Sequence, residues 1–168
     1  KALDGMRRYG WIFSAQLLAS LFSIVLGGEQ ADRHGPARAF LVGSILLSAG
    51  LVIAGVAPNM LTLIIGRFLQ GLGGGAVIVA VYTTVNLAYD DKLRPRMMAL
   101  LSTAWVVPAL AGPALAGFIA DIFSWRVIFL GILPLVIFVV VLSSKQLFAL
   151  EPPQKSKALT KSKWLPAL

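Results

Sequence analysis

The stretch "LIIGRFLQGLGGGA", Leu63 to Ala76, decides how the chain is read. One arginine, one glutamine and five glycines interrupt an oily run. Two glycine-rich motifs of soluble proteins do not fit. No Gly-Lys-Ser/Thr ending makes a phosphate loop, and no strand precedes to make a dinucleotide turn. A membrane helix does fit, because small residues let neighbouring backbones approach closely inside a bilayer. They also give a smooth face to a helix that must slide or rock. Packing and motion therefore both stay open for Gly66, Gly71, Gly73, Gly74 and Gly75. Arg67 falls about seven residues into this helix, so ~10 Å deep at 1.5 Å per residue. An arginine at a helix centre costs ~2.5–3.5 kcal/mol to insert, so it faces protein or a watery cavity unless it snorkels to the interface. Gln70 sits one turn on and shares its face.

The rest of the chain agrees with a membrane setting. Of 168 residues, 58% are hydrophobic and 13% charged, with a mean hydropathy of +0.83. Soluble domains carry roughly 25% charged residues, and one this apolar would show large greasy patches to water. Five segments reach the ~20 apolar residues that a span needs: 9–27, 37–57, 60–88, 97–122 and 126–147. The expected fold is all-α and integral to the membrane, a polytopic bundle of about five transmembrane helices within residues 1–147. Residues 148–168 are expected to form a basic loop leading to a further helix. Gly35-Pro36 and Pro58-Asn59 are turn signals. Residues Asp90 to Arg96 form a charged connector, and Ser124 is placed to cap the fifth helix.

Lysine and arginine set the orientation. With five spans, ten fall on one side: Arg33, Arg38, Lys92, Arg94, Arg96, Lys145, Lys155, Lys157, Lys161 and Lys163. Four fall on the other: Lys1, Arg7, Arg8 and Arg126. The positive-inside rule then makes 28–36, 89–96 and 148–168 cytoplasmic loops of a multi-pass protein of the plasma membrane. The net charge of +8 points to this topology and not to nucleic acid, because the cations lie between apolar runs. Zero cysteines and the single His34 leave no disulfide framework and no multi-histidine metal centre. The seven acids all fall in loops or at predicted helix ends, and no Ser-His-Asp order exists. The chain reads as a non-enzyme with no cofactor and no metal.

Two further features carry information. In "WVVPALAGPALAGFIAD", Trp105 to Asp121, Pro108 and Pro113 lie in one apolar run with Gly112 and Gly117. Each proline removes a helix hydrogen bond, which membrane neighbours tolerate. Simple packing and a pliant gating helix both explain it. Ser14, Gln16, Ser20 and Ser23 give the first span a polar minority, and Tyr82, Thr83, Thr84 and Asn86 do so in the third. Such residues glue helices together or contact substrate.

Three motifs together resemble the amino-terminal half of a major facilitator superfamily transporter, nearest the drug:proton antiporters. Gly28, Asp32, Arg33, Gly35 and Arg38 resemble the G-x-x-x-D-R-x-G loop with its basic end, although Pro36 and Ala37 stand where basic residues are common. Arg67, Gln70, Gly71 and Gly73 resemble R-x-x-Q-G-x-G of the fourth family helix. Gly112, Pro113 and Gly117 match the antiporter G-x-x-x-G-P-x-x-G-G pattern, with Pro108 and Ala116 replacing two glycines. "SWRVIFLGILP", Ser124 to Pro134, resembles the start of family helix six.

The resemblance implies that the five spans are family helices two to six. The absence of an opening methionine and the ending "KWLPAL" then make the chain an expected fragment, lacking helix one and the carboxy-terminal half. It implies alternating access and secondary transport: proton-coupled efflux of small hydrophobic or amphipathic compounds. A proton or sugar symporter, or a non-transporting scaffold or sensor with the same fold, stands as the alternative. It implies that Arg67 takes part in proton coupling and that Asp32 belongs to a conformational latch. Within this chain, Arg94 and Arg96 are possible partners for Asp32. The expected partners are lipid, a small-molecule substrate, protons and the missing parts of the same transporter.

Overall fold

The computed structural model describes residues 9–148. They form five α-helices: α1 Tyr9–His34, α2 Pro36–Gly55, α3 Met60–Ala88, α4 Arg94–Ile122 and α5 Trp125–Phe148. Each is long and apolar enough to cross a membrane. The all-α, polytopic bundle expected from composition is what the chain forms. All of the stretch from 149 onward, where the basic loop is expected, lies outside the described residues.

Helix ends follow turn chemistry more than polarity. Residues 28–36 were expected to be a loop, but α1 stays helical through Glu29 to His34. Charged side chains end a membrane span and yet are ordinary helix formers. The helix stops only at Gly35, whose N–H still reaches the Ala31 carbonyl at 2.9 Å. Gly35 has φ 83° and ψ 165°, a region open essentially to glycine alone. Pro36 follows at the first position of α2, where its missing N–H costs nothing. One residue thus joins two helices. The fourth helix likewise starts earlier than expected, at Arg94 and not Met97, with Pro95 in its first turn.

The other joints use side chains. Asn59 caps α3, its Oδ1 accepting from the Thr62 N–H at 2.9 Å and the Thr62 hydroxyl at 3.0 Å. Ser124 stands before α5 as expected, its hydroxyl accepting from the Arg126 N–H at 3.4 Å. At the other end of α3, Arg94 donates to the carbonyls of Asn86 (2.8 Å) and Tyr89 (3.1 Å). These carbonyls lie where a helix end leaves acceptors unsatisfied.

α3 is the spine, packing along both α1 and α2. Glycine makes these approaches possible. A Cβ on Gly66 would stand 2.8 Å from the Ala54 nitrogen, and one on Gly73 would stand 2.5 Å from the Gly43 carbonyl oxygen, both on α2. On the α1 side, Gly71 meets the Gln16 carbonyl, and a Cβ on Gly75 would stand 2.5 Å from the Ser20 carbonyl. Ser23 adds a hydrogen bond from its hydroxyl to the Leu72 carbonyl. The packing reading of these glycines therefore describes four of the five, while Gly74 meets nothing.

α5 lies on α2, and α4 touches mainly α5. No residue of α4 is buried among the described residues. Two apolar clusters close the ends of the bundle. Ala31, Ala37, Ala39, Phe40, Ala80 and Leu147 form one. Ile12, Ala54, Ala57, Met60 and Leu63 form the other, with Trp125 and Phe129 packed against it.

Candidate functional site

Arg67 sits on α3 at the second of these ends, half-buried. Its Nη1 donates to Gln16 Oε1 of α1 at 3.1 Å and to Gln70 Oε1 at 3.3 Å. The Gln70 amide then donates from Nε2 to the Gly50 carbonyl of α2 at 3.1 Å. From the fourth side, the guanidinium lies over the Phe129 ring of α5, 4.9 Å from its centroid. The cation therefore joins α1, α3 and α5 at one level, and Gln70 adds α2. Gln70 is only 5% exposed, so its amide is held and Arg67 is oriented by a fixed acceptor. A planar guanidinium suits this seat because it stacks on a ring and donates in its plane at once.

Local sequence builds the seat. Arg67 and Gln70 share a helix face through their i, i+3 spacing. Gly71 lets α1 approach until Gln16 is within reach, and Gly66 does the same for α2 and Gly50. Trp125 packs edge-on against Phe129, with ring centroids 6.0 Å apart, and fixes its place. Arg126 ties the start of α5 to the end of α2 by donating to the Ala57 carbonyl at 2.9 Å.

The expected sites are not one cluster. Arg67, Gln70, Gly71 and Gly73 come together on α3, where both glycines serve contact with neighbouring helices. Gly28, Asp32 and Arg33 lie in the last turns of α1, Gly35 is the joint, and Arg38 is exposed in the first turn of α2. About 18 Å of helix α2 separates Arg38 from Gly50 at 1.5 Å per residue. Arg94 pairs with Asp91 at 2.6 Å and with the end of α3. It is thus engaged within its own connector. In α4, Pro108, Pro113 and Gly117 are exposed and the helix runs unbroken through both prolines. A Cβ at Gly112 or Gly117 would meet nothing within 4 Å.

The sequence pairs Arg67 with Gln70 but leaves Gln16 among residues that glue helices or contact substrate. Phe129 and the Gly50 carbonyl were missed. Nothing local in sequence marks them, since residues 16 and 129 meet Arg67, and residue 50 meets Gln70, only through folding.

Comparison with known proteins decides the family. Residues 5–168 match the Major Facilitator Superfamily. The chain belongs to that superfamily. It is 30% identical over 147 residues to the "Uncharacterized MFS-type transporter YhcA" of Bacillus subtilis, covering 88% of this chain and 28% of the relative. It is 29% identical over 145 residues to the "Multidrug transporter protein MdtP" of the same organism, covering 86% and 27%. It is 32% identical over 134 residues to a "Multidrug resistance protein B homolog" of Mycobacterium tuberculosis, covering 80% and 25%. The chain thus spans about a quarter of the length of these relatives. The family is one of multi-pass membrane transporters, not enzymes.

Proposed function

We propose that the chain supplies part of the amino-terminal bundle of a proton-coupled exporter working by alternating access. Its cargo would be small hydrophobic or amphipathic compounds, moved out across the plasma membrane. The observation that carries this reading is the seat of Arg67. A charge within a membrane-length helix is costly and marks function when it faces protein, and this one is held by α1, α3 and α5, with α2 holding Gln70. Two relatives whose names call them multidrug proteins support the choice of cargo.

The chemistry follows from charge. A guanidinium favours the ionised form of a nearby carboxylate and so lowers its proton affinity. Substrate and proton can then compete for the acid: substrate arrival expels the proton, and reprotonation releases the substrate. None of the acids in the five helices is predicted near the membrane midplane, so the carrier would come from helix one or the second half. Asp32, Arg33 and Arg38, with Gly28 and Gly35 at the α1–α2 joint, would act as a latch on the cytoplasmic side. The α4 prolines and glycines would face the remainder of the transporter and bend as it rocks.

The test is drug efflux in proteoliposomes carrying the whole transporter. Arg67→Ala abolishes efflux while membrane insertion is unchanged, and Arg67→Lys, which keeps charge but not the planar fork, retains a fraction. Normal efflux with Arg67→Ala would remove the coupling role.

A further inference from the structure

At the opposite end of α3 from Arg67, a cavity of about 390 Å³ opens between α2, α3 and α5. Its mouth carries Thr84, Tyr89, Ser143 and Gln146, with Phe40 and Leu147 in its wall. Thr84 gives its hydroxyl to the Ala80 carbonyl at 2.7 Å. The side chains of Tyr89, Ser143 and Gln146 make no hydrogen bond among the described residues. A second cavity of about 210 Å³ shares Phe40 and continues along the same three helices past Leu47, Val77, Leu135 and Val139. Its exposed wall is apolar.

The two together grade from polar to apolar along one line. From Gln146 to Leu135 the helix runs ~17 Å at 1.5 Å per residue. That is close to half of the ~30 Å hydrocarbon core. The charge at the mouth has a sign. Directly after Tyr89 come Asp90, Asp91, Lys92, Arg94 and Arg96. Arg94 and Asp91 neutralise each other, which leaves exposed Lys92 and Arg96 against Asp90. A phosphate would find three unengaged donors at the mouth, with one net positive charge in the connector that follows Tyr89. Thr84 is ~26 Å along α3 from Arg67, so this groove does not belong to the site above.

We propose that the α2–α3–α5 groove holds one ordered phospholipid, its phosphate at Tyr89 and Gln146 and one acyl chain along Phe40, Leu135 and Val139. The occupant is a lipid and not a transported compound, because the groove passes from a polar mouth to an apolar arm and has about the length of a single leaflet.

Native mass spectrometry of the full chain, reconstituted with phosphatidylglycerol and then extracted in mild detergent, tests this. One phospholipid per chain stays bound under activation that strips the rest. Val139→Trp, which places an indole in the apolar arm, lowers retention by roughly tenfold or more, a change of ~1.4 kcal/mol. Tyr89→Phe with Gln146→Leu lowers it several-fold, and circular dichroism confirms unchanged helicity. If Val139→Trp disturbs folding, the double variant alone decides. Equal retention in the folded variants, detergent in place of lipid, or no retained lipid in the unaltered chain would each overturn the proposal.

Discussion

Arg67 is polar where its neighbours in sequence are not, and its partners show why it is tolerated. Gln16 and Gln70 accept from it and Phe129 covers it. Replacing Gln16 by Leu removes the α1 acceptor while keeping the side-chain bulk. Efflux by the whole transporter is expected to fall several-fold without being lost, since Gln70 still holds the guanidinium. Unchanged efflux in Gln16→Leu would show that α1 plays no part in orienting Arg67. Asn59 offers a simpler case. Its side chain satisfies the first turn of α3, and Asn59→Ala is expected to cost about 1 kcal/mol. Denaturant titration in mixed micelles would read that cost directly, as would faster hydrogen exchange at Thr62. At this scale sequence was a partial guide. It marked Arg67 and Gln70 because their spacing is local, but the ring and carbonyl that complete the seat come from α5 and α2.

Elements were easier to read than their ends. A run of ~20 apolar residues is a signal that lipid imposes, so all five helices were visible. Where each helix stops depends on glycine, proline and caps, and so α1 outlasts its apolar stretch by a turn and more. Among the glycines of α3 the structure separates neighbours that look alike in sequence. Gly71→Val would drive a side chain into the α1 backbone, and overpacking of this kind costs ~1–3 kcal/mol or more. Gly74→Val meets open space and is expected to stay within ±0.5 kcal/mol or so. Equal thermal midpoints for the two variants would contradict the close α1–α3 approach. α4 gives the converse expectation. Gly117→Leu meets nothing here, so it should leave the stability of this chain unchanged yet impair efflux by the whole transporter. Impaired stability, or efflux that is indifferent, would argue against a moving face on α4.

For the molecule as a whole, sidedness is the expectation with the widest consequences. The chain contains no cysteine, so single cysteines can be introduced without background. With a membrane-impermeant maleimide, Asp91→Cys is expected to label only from the cytoplasmic side and Ser124→Cys only from outside. The reverse pattern would invert the topology and move the latch away from the cytoplasm. The latch has its own test: Asp32→Asn in the whole transporter should raise labelling of positions open only in the inward-facing state, and unchanged labelling would remove it. The family and the bundle were legible because three motifs fell at their proper spacing on separate helices. No proton carrier was legible, because no acid of these five helices stands beside Arg67 in the sequence. The most direct test of the account is therefore substrate-induced proton release from the detergent-solubilised whole transporter in weakly buffered solution. A bound drug is expected to expel protons from the unaltered protein and none from Arg67→Ala. Proton release that is the same with and without Arg67 would contradict it.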